Sequence, residues 1–207
     1  MNIFDEKIKQ ARDLFKKEKY SKASEVYLNA LKTNPAQQQK AIVWAELSWL
    51  FYQQKQYDRC VEACENTLEL DADYEGKEDL FRILGFSYSA LSKLDKAVEY
   101  LEKSLKIENN SQKQQMAVFE LLKLNFRLQN YEESEKWINE VESYFYQNEK
   151  EYWLTLLFFK GFVKYYTNQV EESERVFEEL LENARMIRAG RPGSSGLPLL
   201  ISTAKII

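Results

Sequence analysis

The sequence of 207 residues contains no histidine, two cysteines, six glycines and three prolines. Without histidine, the chain lacks the side chain that most often serves as a general base or as a metal ligand. It also lacks an apolar stretch of the roughly 18 residues that a membrane-spanning helix needs. These absences argue against a metalloenzyme and against a membrane span. We therefore expect a non-catalytic protein without a cofactor or a bound metal.

Two short stretches have some features of catalytic or metal sites. Residues 193–196, GSSG, lack the lysine and the following helix that a phosphate-binding loop needs. Cys60 and Cys64 could form half of a metal site or a redox pair, but free cysteines are usually small buried hydrophobic residues. Consecutive turns of one helix hold the Cα atoms near the upper limit for a disulfide. We therefore interpret both cysteines as core residues.

The charges sum to a formal net charge of −4, and no basic run is present. Proteins that bind nucleic acids usually carry a basic patch, so we do not expect nucleic acid as a partner. The first residues, MNIFDE, lack the basic start and the apolar core of a signal peptide. We therefore expect a cytoplasmic location.

Residues 81–104, FRILGFSYSALSKLDKAVEYLEKS, read as two amphipathic helices separated by a polar break at residues 92–95. The first helix places apolar or small residues at i, i+3, i+4 and i+7, which lie on one helical face: Phe81, Leu84, Gly85 and Tyr88. The second helix carries Ala97, Leu101 and Ser104 on one face. We expect Gly85 and Ala97 to let the two helices approach closely.

The same pattern recurs at intervals of 37 residues, with a last interval of 39. The positions equivalent to Ala97 are Ala23, Cys60, Ser134 and Ser173. Residues 131–136, YEESEK, and residues 170–175, VEESER, are near-duplicates. One helical hairpin cannot bury its apolar face alone, so five copies predict a stacked array.

This pattern resembles the tetratricopeptide repeat (TPR). The clearest second helix carries Tyr20, Ala23, Tyr27 and Ala30, and Pro35 follows it. The resemblance implies an all-α fold, a right-handed α-α superhelix of about five helical hairpins. The repeats would lie at about 4–37, 41–74, 78–111, 115–148 and 154–187, within one solenoid over residues 1–187.

The predicted repeats depart from the family pattern in two ways. Their period of about 37 exceeds the usual 34, so we expect longer second helices or longer turns, for instance at residues 75–77. In the fourth and fifth copies, Asn125 and Lys164 stand where the pattern has an aromatic residue. The register of these two copies is therefore predicted from fewer matching positions.

In the TPR family the first helix of each hairpin lines a concave groove. Carried onto this sequence, the groove contains an aromatic band with basic residues beside it: Trp49, Tyr52, Arg82, Phe86, Phe119, Lys123, Phe126, Arg127, Phe158, Phe162, Tyr165 and Tyr166. The same alignment adds Asp5, Ile8, Arg12, Phe15 and Lys16 from the first copy and Ile42, Ala45 and Gln53 from the second. A large exposed apolar surface usually marks a binding site. The alternative is that some rings pack between neighbouring first helices.

The resemblance implies a protein-interaction scaffold, and the groove residues narrow the ligand. Some family members hold a C-terminal carboxylate with lysine and asparagine. The matching positions here are Ile8, Arg12, Ala45 and Trp49, so that clamp is absent. We predict that the groove binds an apolar peptide segment and that the basic residues hold an acidic side chain or a chain terminus. The alternative function is a structural unit that associates with copies of itself.

The composition changes after Arg188 to a linker-like stretch rich in glycine and serine. An apolar segment follows it, with the candidate ligand residues Leu197, Leu199, Leu200, Ile201, Ile206 and Ile207. Residues 188–207 therefore form a linker and an apolar tail. The segment is a vector-derived or read-through sequence, a ligand-like peptide, or a natural tail. In the last two cases it would dock on its own solenoid or on that of a neighbouring molecule.

Overall fold

The structure, a computed structural model, describes residues 2–148 and 150–190. Over these residues the chain forms ten α-helices and no strand, which confirms the all-α prediction. The helices are α1 (Ile3–Lys16), α2 (Tyr20–Leu31), α3 (Gln37–Gln53), α4 (Tyr57–Leu70), α5 (Lys77–Ala90), α6 (Leu94–Leu105), α7 (Ser111–Arg127), α8 (Tyr131–Asn148), α9 (Lys150–Tyr166) and α10 (Val170–Gly190).

The contacts divide the chain into an N-terminal unit, Met1–Ser111, and a C-terminal unit, Gln112–Ile207. In the N-terminal unit α1 packs on α2, α3 on α4 and α5 on α6, and these pairs stack through α2 with α3 and α4 with α5. In the C-terminal unit α9 packs on both α8 and α10. Phe119 of α7 meets Phe145 of α8 with ring centroids 5.1 Å apart. The handedness of a superhelix and the repeat boundaries stay predictions.

Five three-residue turns join consecutive helices, and the middle residue of each has a positive φ. These residues are Glu18, Lys55, Ser92, Gln129 and Asn168, with φ between 56° and 63°. They follow one another at intervals of 37, 37, 37 and 39 residues, which is the period of the sequence repeat.

Two backbone hydrogen bonds close each turn in the same way. In the first turn the N–H of Lys19 donates to the carbonyl of Leu14 at 3.0 Å, and the N–H of Glu18 donates to that of Phe15 at 2.8 Å. This pair of bonds is the Schellman motif, which satisfies carbonyls at a helix end. The polar break predicted at residues 92–95 is shorter in the structure, because Leu94 and Asp95 already belong to α6.

Small residues bring the paired helices together, as predicted for Gly85 and Ala97. A Cβ atom at Gly85 would lie 2.5 Å from Cγ of Leu101 and 3.2 Å from the carbonyl oxygen of Ala97. At Gly161, the equivalent position in α9, a Cβ atom would lie 2.6 Å from the ring of Phe177. In both pairs the glycine of the first helix has no side chain, and a side chain of the second helix, Leu101 or Phe177, occupies that space.

Buried serine hydroxyl groups form hydrogen bonds that join second helices to first helices. Ser104 of α6 donates to the carbonyl of Glu78 at 2.8 Å, and Ser173 of α10 donates to the carbonyl of Gly161 at 2.8 Å. Each bond satisfies a polar group that is costly to bury alone.

The two cysteines are unpaired and fully buried in α4, which confirms their interpretation as core residues. The hydroxyl of Ser87 donates to Sγ of Cys60 at 3.2 Å. A hydrogen bond from Cys64 lowers the pKa of Cys60, whereas that bond and burial raise the pKa of Cys64. Among the described residues no cluster of three potential metal ligands occurs.

The extra residues of the long period are placed differently in the two units. In the N-terminal unit a six-residue connection, 71–76, separates α4 from α5, and Gly76 there has a φ of 95°. In the C-terminal unit the second helices are longer, with 18 residues in α8 and 21 in α10. The last helix ends at Gly190, beyond the predicted solenoid boundary at residue 187. No described helix is long and apolar enough to cross a membrane.

The predictions for the tail concern residues 191–207, which lie outside the described residues.

Candidate functional site

Three of the predicted groove residues form one aromatic surface on α3 and α5, here called the N-terminal patch: Trp49, Tyr52 and Phe86. Trp49 and Tyr52 are three residues apart on α3, and their rings stack at 6.0 Å with an interplanar angle of 20°. Tyr52 also lies 6.4 Å from Phe86 of α5. Trp49 remains 39% exposed. Because Tyr52 packs between α3 and α5, the patch is fixed from behind and open at Trp49.

A shallow cleft of about 490 Å³ lies between α1 and α3. Its walls include the predicted groove residues Asp5, Ile8, Arg12, Lys16 and Ile42. The first helices of the first two hairpins therefore share one concave surface. It carries charges of both signs and little exposed aromatic area.

Arg12 of this cleft already has an acidic partner. Its Nε donates to Glu46 of α3 at 3.0 Å, and the hydroxyl of Tyr27 donates to the same carboxylate. The bond to Glu46 raises the pKa of Arg12, and burial, followed by Glu46, raises the pKa of Tyr27. Lys9 and Lys16 are also exposed at the cleft, and unlike Arg12 neither forms an ion pair with a described residue.

The predicted groove residue Arg82 is similarly engaged. It donates to Glu108 at 2.8 Å and also pairs with Asp79. The Arg82 side chain is 11% exposed and that of Glu108 is 5% exposed. Buried pairs of this kind are costly to break, because one charge is left without a partner. Arg82 would have to leave these carboxylates before it could hold an acidic ligand.

The basic residues of α7 differ from each other. Lys123 pairs with Glu120 and lies 5.4 Å from the ring centroid of Phe119. Arg127, at the end of the helix, is exposed and has no ion-pair partner among the described residues. Of Arg82, Lys123 and Arg127, Arg127 is therefore the one that could meet a ligand without breaking an ion pair.

Phe119 contributes to the interior of the C-terminal unit. It is 6% exposed and contacts Phe145 at 5.1 Å and Tyr152 at 5.5 Å. Its ring fills the space between α7, α8 and α9. Phe119 thus matches the alternative in which some predicted groove rings pack between neighbouring helices.

In the C-terminal unit, four predicted groove residues form an aromatic row on α9, here called the α9 stripe: Phe158, Phe162, Tyr165 and Tyr166. The spacing i, i+4, i+7 and i+8 places these residues on one helical face. Phe158 and Phe162 are half-buried and their rings lie 4.8 Å apart. Tyr165 is 45% exposed and Tyr166 is 51% exposed.

Phe126 of α7 supports the stripe from behind. Its ring lies 6.3 Å from Phe162, 6.3 Å from Tyr166 and 5.1 Å from Phe159. Tyr131 stacks on Tyr166 at 4.6 Å. Tyr131 and Phe159 were not predicted as part of the site. Tyr131 is the first residue of its helix, as Tyr20 and Tyr57 are of theirs, so the repeat pattern could have identified it. No feature of the sequence indicated Phe159.

Two lysines hold α9 to its neighbours. Lys160 donates to Glu142 of α8 at 2.5 Å. Lys164 pairs with Glu135 of α8 at 2.6 Å and with Glu172 of α10 at 2.8 Å. Burial opposes the charge of Lys164, but the two carboxylates outweigh it, so its pKa is raised. These ion pairs join the helices beside the α9 stripe and keep its backbone in place.

The exposed aromatic residues among the predicted groove residues thus lie in the N-terminal patch and in the α9 stripe. Exposed aromatic rings fixed by packing lose little conformational entropy on binding, and they are common anchors of protein interfaces. Chemically, both surfaces can bury apolar side chains of a ligand.

Comparisons with known proteins agree with the fold. Tetratricopeptide repeat models match residues 8–75 and residues 83–111. No curated protein sequence matches the chain. Many solved structures do match it.

Three of these structures illustrate the likeness. A tetratricopeptide repeat protein from Parabacteroides merdae has a TM-score of 0.73 at 18% identity, covering 98% of this chain and 72% of that one. YrrB, described as a TPR protein with an unusual peptide-binding site, has a TM-score of 0.73 at 17% identity and covers 97% and 91%. The first TPR domain of Spaghetti (RPAP3), bound to an HSP90 peptide, has a TM-score of 0.51 at 21% identity and covers 60% and 92%.

Both family matches lie in the stretch where Tyr20, Phe51 and Tyr88 follow the repeat pattern most closely. With these matches, the helical pairs and the recurring turns, residues 8–75 and 83–111 are identified as tetratricopeptide repeats, and the fold of the chain is similar to that of solved tetratricopeptide repeat structures.

Proposed function

We propose that the chain is a non-catalytic scaffold that binds apolar peptide segments on the aromatic surfaces of its first helices. The observation that carries this proposal is the exposure of Trp49, Tyr165 and Tyr166 on helices where their rings are fixed by packing. YrrB and the Spaghetti domain are described with a peptide-binding site and a bound peptide, which supports a peptide ligand here.

Binding would follow from burial of apolar side chains against these rings. Burying apolar surface is worth about 25 cal/mol per Å², so one leucine side chain can contribute roughly 2 kcal/mol. Because the rings are already ordered, little of this gain is lost to side-chain entropy. An acidic group of the ligand would meet Lys9 or Lys16 in the N-terminal unit, or Arg127 in the C-terminal unit, which are exposed.

The test is selection of random displayed peptides on the immobilised protein, followed by measurement of Kd for the selected sequences. We expect peptides rich in leucine, isoleucine and phenylalanine. Trp49→Ala or Tyr165→Ala should weaken their binding about tenfold or more, as hot-spot truncations do. Glu62→Ala and Glu178→Ala, which alter exposed acidic residues of the second helices α4 and α10, are the matched controls.

Selection of only polar sequences would contradict this proposal. So would apolar peptides whose binding is unchanged in both aromatic variants.

Self-association is the second candidate function, because the exposed aromatic rings of one copy could equally meet those of another. The average mass by light scattering would then rise with protein concentration, and Tyr165→Ala would lower it. A constant monomer mass would exclude this function.

A further inference from the structure

The exposed apolar surface of the C-terminal unit is distributed unevenly between its last two helices. The α9 stripe leaves Tyr165 and Tyr166 about half exposed. The exposed residues of α10 are mostly acidic, among them Glu171, Glu174 and Glu178.

The chain itself contains a segment of this chemistry. Residues 197–207 are rich in leucine and isoleucine, and residues 191–207 contain Arg191 and Lys205 but no aspartate or glutamate. Apolar side chains suit the stripe, and the two cations suit the acidic face of α10. The segment follows directly after α10 in sequence, so its effective concentration near the stripe is high.

The distances allow docking within one molecule. In an antiparallel pair, the 21 residues of α10 extend beyond the start of the 17-residue α9 by about 6 Å. Phe158 lies about 12 Å along the helix axis from the start of α9. Measured along the same axis, Phe158 and Gly190 are therefore roughly 18 Å apart. The six residues 191–196 span up to about 20 Å when extended.

The remaining segment is long enough to cover the surface. Its eleven residues span about 36 Å, compared with about 12 Å from Phe158 to Tyr166 along the helix.

We propose that residues 197–207 dock on the α9 stripe of the same molecule and compete there with partner peptides. The proposal rests on the proposed function, since it assigns a first occupant to one of the two binding surfaces. The tail then acts as an internal competitor, and a partner gains access to the stripe by displacing it. A partner that binds the N-terminal patch is unaffected.

Disulfide trapping in the full chain tests the docking. Cys60 and Cys64 are fully buried, so introduced cysteines are the reactive ones. One variant carries Phe158→Cys with Leu200→Cys. The matched control carries Arg175→Cys with Leu200→Cys, because Arg175 is exposed on α10, is not one of its acidic residues, and lies about 22 Å along the helix from Gly190. A third variant carries Tyr165→Cys with Leu200→Cys. Because Tyr165 is exposed, this variant can be tested even if replacement of Phe158 disturbs the fold.

We expect the α9 cysteines to form an intramolecular disulfide at least about tenfold faster than the α10 control in dilute protein. Equal rates at the two sites would overturn the proposal. Disulfide-linked dimers in place of a cross-linked monomer would also overturn it, because the tail would then dock on a neighbouring molecule.

A second measurement separates failure of this inference from failure of the proposed function. In a full chain carrying Leu200→Asp and Ile201→Asp, a labelled synthetic peptide of residues 197–207 should bind at least about fivefold more tightly than in the unaltered chain. If the peptide binds both chains equally and Tyr165→Ala weakens this binding, the stripe binds apolar segments but is not occupied by the tail. If it binds neither, the stripe is not a peptide site, and both proposals fail for the C-terminal unit.

Discussion

The two units fill the same repeat position with opposite chemistry. In the N-terminal unit the position three residues before the helix cap is Phe51 in α3 and Tyr88 in α5, and both are buried. In the C-terminal unit it is Asn125 in α7 and Lys164 in α9. In all of these helices the carbonyl of this residue accepts a hydrogen bond from the backbone N–H five residues later, at the end of the following turn. The backbone role is therefore constant while the side chain varies.

The polar replacements are tolerated because each finds partners. The side-chain amide of Asn125 donates to the carbonyl of Leu121 at 2.9 Å. Lys164 is held between Glu135 and Glu172. A buried polar group without such partners would cost about 1–3 kcal/mol. The comparison shows that this repeat position requires a filled space and satisfied polar atoms more than it requires an aromatic ring.

The largest effect is expected for Phe51→Ala, which leaves a cavity where the N-terminal unit uses an aromatic ring. The free energy of unfolding should fall by about 4 kcal/mol, as in other truncations of buried phenylalanine. Urea unfolding followed by circular dichroism measures it. Gln53→Ala on the same helix is the control and should cost less than about 1 kcal/mol, because Gln53 is exposed. Similar losses in both variants would mean that the position of Phe51 has no special role.

The next largest effect concerns the close approach of α5 and α6. Gly85→Ala places a Cβ atom 2.5 Å from Cγ of Leu101, so one helix must move. We expect a loss of about 1–2 kcal/mol, because an overpacking cost of about 2–3 kcal/mol exceeds the roughly 1 kcal/mol that alanine adds through helix propensity.

Ser48→Ala is the control for this glycine, since Ser48 occupies the same repeat position with a Cβ already present. It should change stability by less than about 1 kcal/mol. A Gly85→Ala protein that is as stable as the unaltered chain would show that the helices are not in close contact there.

A smaller effect is expected for Lys164→Met, which removes the cation between α8 and α10. At neutral pH the loss should be about 1 kcal/mol, because Glu135 and Glu172 are partly exposed and can be hydrated. The folded-state pKa of Lys164 is raised, so its contribution is complete below the unfolded-state value of about 10.4 and is lost as the pH rises through the folded-state value.

Unfolding curves of both proteins at pH 8 and at increasingly alkaline pH measure this difference. It should shrink as the pH rises. Lys136→Met, which removes an exposed pair with Glu133, is the control and should have almost no effect at any of these pH values. A difference that stays constant up to strongly alkaline pH would contradict the electrostatic explanation.

The smallest effect is a gain in stability from Gln129→Gly in the turn between α7 and α8. A left-handed residue costs about 1–2 kcal/mol when it is not glycine, although part of this gain is lost because glycine makes the unfolded chain more flexible. We expect a gain of about 0.5–1 kcal/mol in urea unfolding. Asn168→Gly should gain less, because asparagine tolerates this conformation better. A loss of stability at Gln129 would show that its side chain contributes more than its backbone costs.

The sequence predicted the helical pairs because their signals are local. Apolar spacing identified the helix faces, and the small residues Gly85 and Ala97 identified the contact between paired helices. It did not predict the left-handed turn residues, since Glu18, Lys55 and Gln129 are not residue types that favour positive φ. There, the surrounding helices impose the conformation.

The candidate site was predicted less completely, because its details depend on contacts between distant residues. Arg82 and Glu108 are 26 residues apart, and no local pattern indicates that they pair. The burial of Phe119 depends on Phe145 and Tyr152, which belong to other helices. The pattern therefore identified which helix face carries aromatic residues, whereas only the packing determines which rings stay exposed.

The buried thiols of Cys60 and Cys64 make the opening of one unit measurable as a rate. Both side chains are inaccessible while α4 is packed, so a thiol reagent can react only after a local opening. When closing is fast, the labelling rate equals the opening equilibrium constant multiplied by the intrinsic reaction rate of the exposed thiol. Residues 112–207 contain no cysteine. Labelling of the unaltered protein therefore reports the local opening free energy of the N-terminal unit alone.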